Sequence, residues 1–156
     1  MSVEAGLNLD FLDLLEAFSR ARVEFLVVGA HALAAQGVVR ATGDLDVWVK
    51  PSAENAARVV EALTAFGAPL AQHQVSAADF MRAGAVYQMG LPPRRINILT
   101  QISGVGFDEA WPARSLVVLR GAPVAFLGRE ALLKNKRAAA RPKDLVDVDL
   151  LERHGR

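Results

Sequence analysis

The sequence contains no cysteine among its 156 residues, which excludes disulfide bonds, thiolate nucleophiles and cysteine-ligated zinc or iron–sulfur centres. It also lacks an excess of charge of one sign, because 18 Lys and Arg residues and 17 Asp and Glu residues leave a formal net charge of +1. Electrostatic binding of nucleic acid by the whole surface is therefore not expected, although a local basic patch is compatible with this charge balance. No apolar run approaches the roughly 18 residues of a membrane-spanning helix, and the N-terminus lacks a secretion-signal pattern. We expect a cytoplasmic protein without a membrane partner.

Apolar residues make up 52% of the chain and charged residues 22%, a composition typical of globular proteins that excludes wholesale disorder. The length is that of one ordinary domain, so we predict a single domain over residues 1–156. Hydrophobic periodicity predicts an α/β (α+β) fold. The predicted helices cover residues 9–22, 30–36, 53–66, 76–82, 130–140 and 142–151, and the predicted strands cover residues 24–28, 44–49, 84–89, 95–100, 115–119 and 124–127.

A turn of small residues follows the first predicted strand. Gly29 and Ala30 end that strand and open the next helix, which offers free backbone N–H groups at the positive end of a helix dipole. Phosphate groups bind at such places. His31 lies in the same turn, where a contact to phosphate and a capping or packing role are both open.

Two carboxylates alternate along the second predicted strand. Asp44 and Asp46 are two residues apart, so both side chains project from one face of the strand. Two hard oxygen ligands beside a phosphate cradle are what Mg²⁺ needs in order to hold a nucleoside triphosphate. An Asp-x-Asp pair alone is common and often no more than a polar strand face. Its combination with the Gly29–Ala30 turn predicts a site for Mg²⁺ and a nucleotide.

Four motifs then follow one another along the chain: Gly29-Ala-His-Ala, Arg40-x-Thr-x-Asp-x-Asp46, Arg95-Ile-Asn-Ile-Leu-Thr100 and Lys136-Arg-x-x-x-Arg-Pro-Lys-Asp-x-x-Asp147. The small-residue turn, followed after thirteen residues by the Asp pair, resembles the signature of the DNA polymerase β-like nucleotidyltransferase superfamily. The order of all four motifs is similar to small bacterial stand-alone members, including the abortive-infection and toxin–antitoxin nucleotidyltransferases.

The resemblance implies a nucleotidyltransferase fold: a short mixed β-sheet packed against helices, with a helical C-terminus. It implies Mg²⁺-dependent transfer of a nucleoside monophosphate from a nucleoside triphosphate to a hydroxyl of a tRNA end or a protein. A role in a toxin–antitoxin or phage-defence system, with a cognate antitoxin-type protein as partner, would follow.

The resemblance also implies roles for particular residues. Asp44 and Asp46 would ligate Mg²⁺, and the backbone amides of Gly29 and Ala30 would contact phosphates. Lys136 would neutralise the triphosphate, and Asp144, with Asp147 as a further candidate, matches a later acidic position. For Arg40 and Thr42 two roles are open, a contact to phosphate and bracing of the loop.

One departure from the family pattern concerns catalysis directly. Asn97 stands where the superfamily has a third carboxylate, which helps to hold the metal and takes the proton of the attacking hydroxyl. An amide oxygen can ligate a cation but is not a base, and loss of a positioned general base typically costs about 10²–10⁴ in rate. Three explanations fit: a nucleotide binder with residual activity, a base supplied from elsewhere, and an inactivating substitution. The alternative to an enzyme is a catalytically degenerate module that binds nucleotide or interacts with a partner protein.

A basic stretch precedes the last predicted helix. It contains Arg129, Lys134, Lys136, Arg137, Arg141 and Lys143, with Glu130 as its single acid. A solvated helix face and a phosphate-facing wall opposite the Asp pair are both compatible with it, and an RNA acceptor is a further candidate ligand. Asp144 and Asp147 are three residues apart on one helix face, so they can pair with Arg141 or Lys143 instead of a metal.

Overall fold

The computed structural model describes residues 3–40 and 43–154, which form six strands and seven α-helices. The helices are α1 (Leu9–Arg20), α2 (Gly29–Ala35), α3 (Ala53–Phe66), α4 (Ala77–Met81), α5 (Phe107–Ala110), α6 (Arg129–Ala139) and α7 (Pro142–His154). The strands are β1 (Phe25–Val28), β2 (Asp44–Val49), β3 (Val86–Met89), β4 (Arg95–Leu99), β5 (Ser115–Leu119) and β6 (Ala122–Phe126). The predicted α/β class is confirmed.

The six strands form one mixed sheet in the order β3-β4-β2-β1-β6-β5. Strand β2 is parallel to β4 and antiparallel to β1, so the two central strands that carry the motif residues are neighbours. In this register Asp46 lies opposite Val28 on one side and Asn97 on the other, and Asp44 lies opposite Arg95. The sheet therefore brings three of the sequence motifs side by side.

Strand alternation divides the core into two apolar clusters, one on each face of the sheet. Leu45, Val47 and Val49 of β2 point to the larger cluster, which contains buried side chains of α1 and α3. Trp48 points to the other face, where a second cluster contains buried side chains of α2, α6 and α7. Asp44 and Asp46 share the Trp48 face because residues two apart on a strand point the same way.

Local capping explains several helix ends. The Asn8 side chain accepts a hydrogen bond from the Phe11 backbone N–H at 3.0 Å, and the Ser52 side chain accepts one from Asn55 N–H at 3.2 Å. Gly67 ends α3 with a left-handed φ of 99°. The helix predicted for residues 9–22 ends earlier, at Arg20, because the chain turns and Arg22 adopts a φ of 60°.

The remaining differences from the predicted elements are small. Strand β3 begins at Val86, β6 covers Ala122–Phe126, and the last helix continues to His154. Helix α5 was not predicted, because four residues are too few for an apolar period to be recognised. None of the helices in the described part of the chain combines the length and apolar character needed to cross a membrane.

Candidate active site

Asp44, Asp46 and Asn97 form a polar group on the floor of a cleft. The Nδ2 group of Asn97 donates hydrogen bonds to Oδ1 of Asp46 at 2.8 Å and to Oδ2 of Asp44 at 3.2 Å. The amide hydrogens thus bridge two carboxylates that would otherwise repel each other. Gln88 on β3 fixes this orientation, because its Nε2 group donates to Oδ1 of Asn97 at 2.8 Å.

Arg95 holds the other side of Asp44. Its Nε and Nη2 groups donate to Oδ1 and Oδ2 of Asp44 at 2.9 and 3.0 Å, which is the parallel, bidentate form of an arginine–carboxylate pair. The hydrogen bond to Asp44 is also the main reason that the pKa of Arg95 is raised. The sequence motif that contains Arg95 does not reveal this role. The contact of Gln88 depends on the β3–β4 register, which no local sequence pattern reveals.

The backbone at Gly29 approaches Asp46 closely. Gly29 has a φ of +70°, and a Cβ atom added there would lie 2.5 Å from Oδ2 of Asp46. A side chain at this position would therefore displace the carboxylate. Burial raises the pKa of Asp46, and the nearby Asp44 charge adds to this, whereas the hydrogen bond from Asn97 and the His31 and Lys136 charges oppose it.

The His31 ring lies beneath the cleft. The residue is 6% exposed, and its ring meets the Phe11 ring edge-on, with centroids 5.7 Å apart. Burial lowers the pKa of His31, although the Asp46 charge and a hydrogen bond with the Asp44 backbone oppose the shift. Its Nε2 atom is buried without a hydrogen-bond partner among the described residues. This placement agrees with a packing role, and a contact of His31 with phosphate stays a prediction.

The opposite wall of the cleft contains a buried ion cluster that joins α6, α7 and the segment before β2. Nζ of Lys136 lies 3.3 Å from Oδ1 of Asp144 and 3.3 Å from Oδ2 of Asp147. Arg40 forms an ion pair with Asp147, and Arg141 forms one with Asp144. The interpretation that the two acids pair with neighbouring cations is thus confirmed for Asp144 and Arg141. Asp147 instead pairs with Lys136 and Arg40.

Asp144 is completely buried and fully paired. Nε of Arg141 donates to its Oδ2 at 2.6 Å, and the Arg141 backbone N–H donates to the same oxygen at 3.2 Å. Burial by itself would raise the pKa of Asp144, but the Arg141 hydrogen bonds and the positive charges of Lys136 and Arg141 together hold the pKa below its ordinary value.

The two walls enclose an open cleft of about 500 Å³. Most of the predicted site residues line it: Gly29, Ala30, Arg40, Asp44, Asp46, Asn97, Lys136 and Arg141, together with Lys143 and Asp147. His31 and Asp144 are not among the residues that line it, although Asp144 pairs with Lys136, and Thr42 lies outside the described residues.

The basic stretch divides into two parts. Lys136, Arg141 and Lys143 line the cleft, which agrees with a phosphate-facing wall. Arg129, Lys134 and Arg137 instead pair with Glu130, Glu109 and Glu152, all of which are exposed. Exposed ion pairs of this kind are weak, so a contact of these three cations with RNA stays a prediction.

The donor set of the cleft floor fits Mg²⁺ that arrives with phosphate. No group of three or more His, Asp or Glu side chains within residues 3–40 and 43–154 is placed to hold a metal ion by itself. Mg²⁺ is usually held by one or two carboxylates together with substrate phosphates, however, and Asp44 and Asp46 provide that pair. The carboxylate oxygens already attract positively charged or partly positive groups, because the Arg95 guanidinium and the Asn97 amide hydrogens are hydrogen-bonded to them.

The mixed sheet and its surrounding helices define a nucleotidyltransferase-type fold. One similar solved structure is described as "a putative nucleotidyltransferase" from Thermotoga maritima. It matches with a TM-score of 0.54, and the matched region covers 90% of this chain and 86% of that chain. Because the sequence identity is only 15%, the similarity is one of fold alone. No protein-family model matches the chain, and no curated protein sequence matches it.

Proposed function

We propose that the cleft binds a nucleoside triphosphate with Mg²⁺ and transfers the nucleoside monophosphate to a hydroxyl group, with release of pyrophosphate. The proposal rests on the grouping of Asp44, Asp46 and position 97 on the paired strands β2 and β4, where the Gly29 backbone packs against the Asp46 carboxylate. The likeness of the fold to a nucleotidyltransferase-type structure supports the same reaction class.

Each wall would have its own task in this reaction. Asp44 and Asp46 would hold Mg²⁺, which when bound neutralises the phosphates and activates the α-phosphorus towards attack. Lys136, Arg141 and Arg40 would attract and orient the triphosphate from the opposite wall. The backbone amides of Gly29 and Ala30 would contact phosphate oxygens where β1 passes into α2.

The proton of the attacking hydroxyl needs an acceptor. The hydroxyl oxygen would form the new bond to the α-phosphorus as the bond to the β-phosphate breaks, and the amide of Asn97 cannot accept the proton. Asp46 is the carboxylate nearest to position 97, because the Asn97 amide donates to its Oδ1 at 2.8 Å and to Oδ2 of Asp44 at 3.2 Å. We therefore propose Asp46 as the residual base, with a rate below that of a site with three carboxylates.

The acceptor class rests on the sequence resemblance alone. A tRNA end or a protein side chain is the proposed acceptor, in a toxin–antitoxin or phage-defence setting with an antitoxin-type partner.

Transfer of label from α-³²P nucleoside triphosphates to total tRNA and cell protein tests the reaction. We expect Mg²⁺-dependent labelling that disappears in the Asp44→Asn, Asp46→Asn double variant. Asn97→Asp should label faster by about 10²–10⁴, because it restores a carboxylate at the position of the missing base. Gln88 can donate to that carboxylate as it does to the amide, so the substitution has a ready partner.

A matched control is Asp149→Asn, which removes an equal charge from an exposed pair with Arg153 and should leave labelling unchanged. Labelling that persists in the double variant would contradict the proposal.

The orientation of Asn97 favours a second candidate, a nucleotide-binding module without catalysis. Its amide hydrogens point at both carboxylates, and its oxygen faces Gln88. On this candidate, the unsubstituted protein binds nucleoside triphosphate in equilibrium dialysis but labels nothing, and only Asn97→Asp transfers label. Labelling by the unsubstituted protein would exclude it.

A further inference from the structure

The strongest unassigned feature of the cleft is the pair between Arg95 and Asp44. Both guanidinium-to-carboxylate distances are about those of ideal hydrogen bonds, 2.9 and 3.0 Å, and both carboxylate oxygens of Asp44 are engaged. The two residues lie directly opposite each other on β4 and β2, so the sheet register itself holds them together. The Arg95 side chain is 33% exposed and that of Asp44, which lines the cleft, is 25% exposed, so the pair is accessible to ligands.

The remaining positive charges near the floor are held differently. Lys136 lies between Asp144 and Asp147, and Arg141 is fixed on Asp144. These cations therefore belong to the ion cluster of α6 and α7 and are not ion-paired with Asp44 or Asp46. Among the ion pairs of residues 3–40 and 43–154, that of Arg95 with Asp44 is the one that uses a carboxylate assigned to the metal.

We infer that Arg95 is a built-in competitor for the divalent cation at Asp44, so that the metal binds well only together with a phosphate-bearing ligand. The inference rests on the proposed function, because it concerns the same cation site. A cation that approaches alone must displace a bidentate guanidinium and meets its positive charge within a few ångströms. A phosphate group offers the guanidinium an alternative bidentate partner and so frees Asp44. Metal and phosphate therefore assist each other's binding reciprocally.

Direct titration of Mn²⁺ without nucleotide, followed by the electron paramagnetic resonance signal of the free ion, tests the inference. Arg95→Gln should bind Mn²⁺ about tenfold more tightly than the unsubstituted protein, because one positive charge beside the cation is removed. Arg94→Gln is the matched control: it removes the same charge from the adjacent residue, which is 62% exposed and pairs with Asp10. Its Mn²⁺ affinity should stay within about twofold, because exposed charges are well screened.

A double-substitution cycle shows whether the effect acts through Asp44. In an Asp44→Asn background, adding Arg95→Gln should tighten Mn²⁺ binding by clearly less than in the unsubstituted protein, because no Arg95–Asp44 pair has to be broken and only the repulsion by the Arg95 charge is relieved. Arg95→Lys keeps the positive charge but loses the parallel hydrogen bonds. We expect its Mn²⁺ affinity to lie between that of the unsubstituted protein and that of Arg95→Gln. Far-ultraviolet circular dichroism and a melting curve for each variant verify that the fold is retained.

The inference would be overturned by equal Mn²⁺ affinities for Arg95→Gln and Arg94→Gln, or by a gain from Arg95→Gln that is undiminished in the Asp44→Asn background. Absence of saturable Mn²⁺ binding by every folded variant would overturn it as well. Failure of the label-transfer experiment is separable, since tighter Mn²⁺ binding by Arg95→Gln without any labelling would refute the transferase and leave Arg95 as the competitor.

Discussion

The Asp46 carboxylate lies between the Gly29 backbone, the Asn97 amide and the Asp44 carboxylate, and burial raises its pKa. A raised pKa means that the folded state favours the protonated acid more than the unfolded state does. The contribution of Asp46 to stability is therefore fully present below its ordinary pKa of 3.8 and is lost as the pH rises through the folded-state pKa. At neutral pH the ionised carboxylate destabilises the fold.

Asp46→Asn should accordingly stabilise the protein at pH 7, because it removes a charge from a partly buried position. We expect a gain of about 1 kcal/mol in the free energy of unfolding, which is typical of stabilising substitutions. The gain should shrink as the pH falls through the raised folded-state pKa and should be absent below 3.8, where the Asp46 side chain becomes neutral in the folded and the unfolded state. Denaturant unfolding at a series of pH values from about 4 to about 8 measures this gain. Asp149→Asn serves as the exposed control without such a gain, and a destabilised Asp46→Asn at pH 7 would contradict the prediction.

At the scale of elements, the junction of β1 and α2 sets the shape of the cleft floor. Gly29 is the first residue of α2 and Gly37 follows its end, and both have a positive φ, of +70° and +93°. Their surroundings differ: a Cβ at Gly29 would meet Asp46, whereas nothing lies within 4 Å of one at Gly37. A comparison of alanine substitutions at the two positions therefore distinguishes the cost of backbone strain from the effect of displacing Asp46.

Alanine at either glycine should cost about 1–2 kcal/mol for the left-handed conformation. Gly29→Ala should cost more and should also abolish label transfer, because it displaces the Asp46 carboxylate. Gly37→Ala should keep the transfer rate while losing stability. Unfolding free energies and labelling rates of the two variants decide this, and normal labelling by Gly29→Ala would show that Asp46 tolerates displacement.

At the scale of the whole molecule, the ion cluster connects the C-terminal helices to the sheet. Arg40 and Asp147 are 107 residues apart in sequence, and their pair joins the segment before β2 to α7. Asp144 is 0% exposed and binds Lys136 and Arg141 at the same time. Because its folded-state pKa is lowered, its contribution to stability is present above the ordinary pKa of 3.8 and is lost as the pH falls through the folded-state value.

Removing one partner of a buried ion pair typically costs about 3–5 kcal/mol, so Asp144→Asn should destabilise by about 3 kcal/mol at pH 7. The difference from the unsubstituted protein should narrow below pH 3.8. Glu152→Gln breaks the exposed pair with Arg137, in which both side chains are more than half exposed, and should cost less than about 1 kcal/mol. Equal losses in the two variants, measured by denaturant unfolding, would mean that the cluster does not stabilise the fold.

Much of the fold was predictable because its signals are local. The caps at Asn8 and Ser52, the left-handed Gly67 and the alternation of Asp44 to Val49 each depend on residues within one or two turns of chain. The candidate site was predictable only as a set of residue types. Asp44, Asp46, Gly29 and Lys136 were predicted as site residues and line one cleft.

The sequence by itself determined the α/β class, the alternating placement of the two aspartates and the turn at Gly29, since periodicity and backbone freedom are properties of short segments. Only the tertiary structure decided which charges meet. The β2–β4 register sets Arg95 against Asp44 and Asn97 against Asp46, and the packing of α6 and α7 buries Lys136 between two acids. Strand register and helix packing depend on how the whole apolar core fits together, which no local pattern contains.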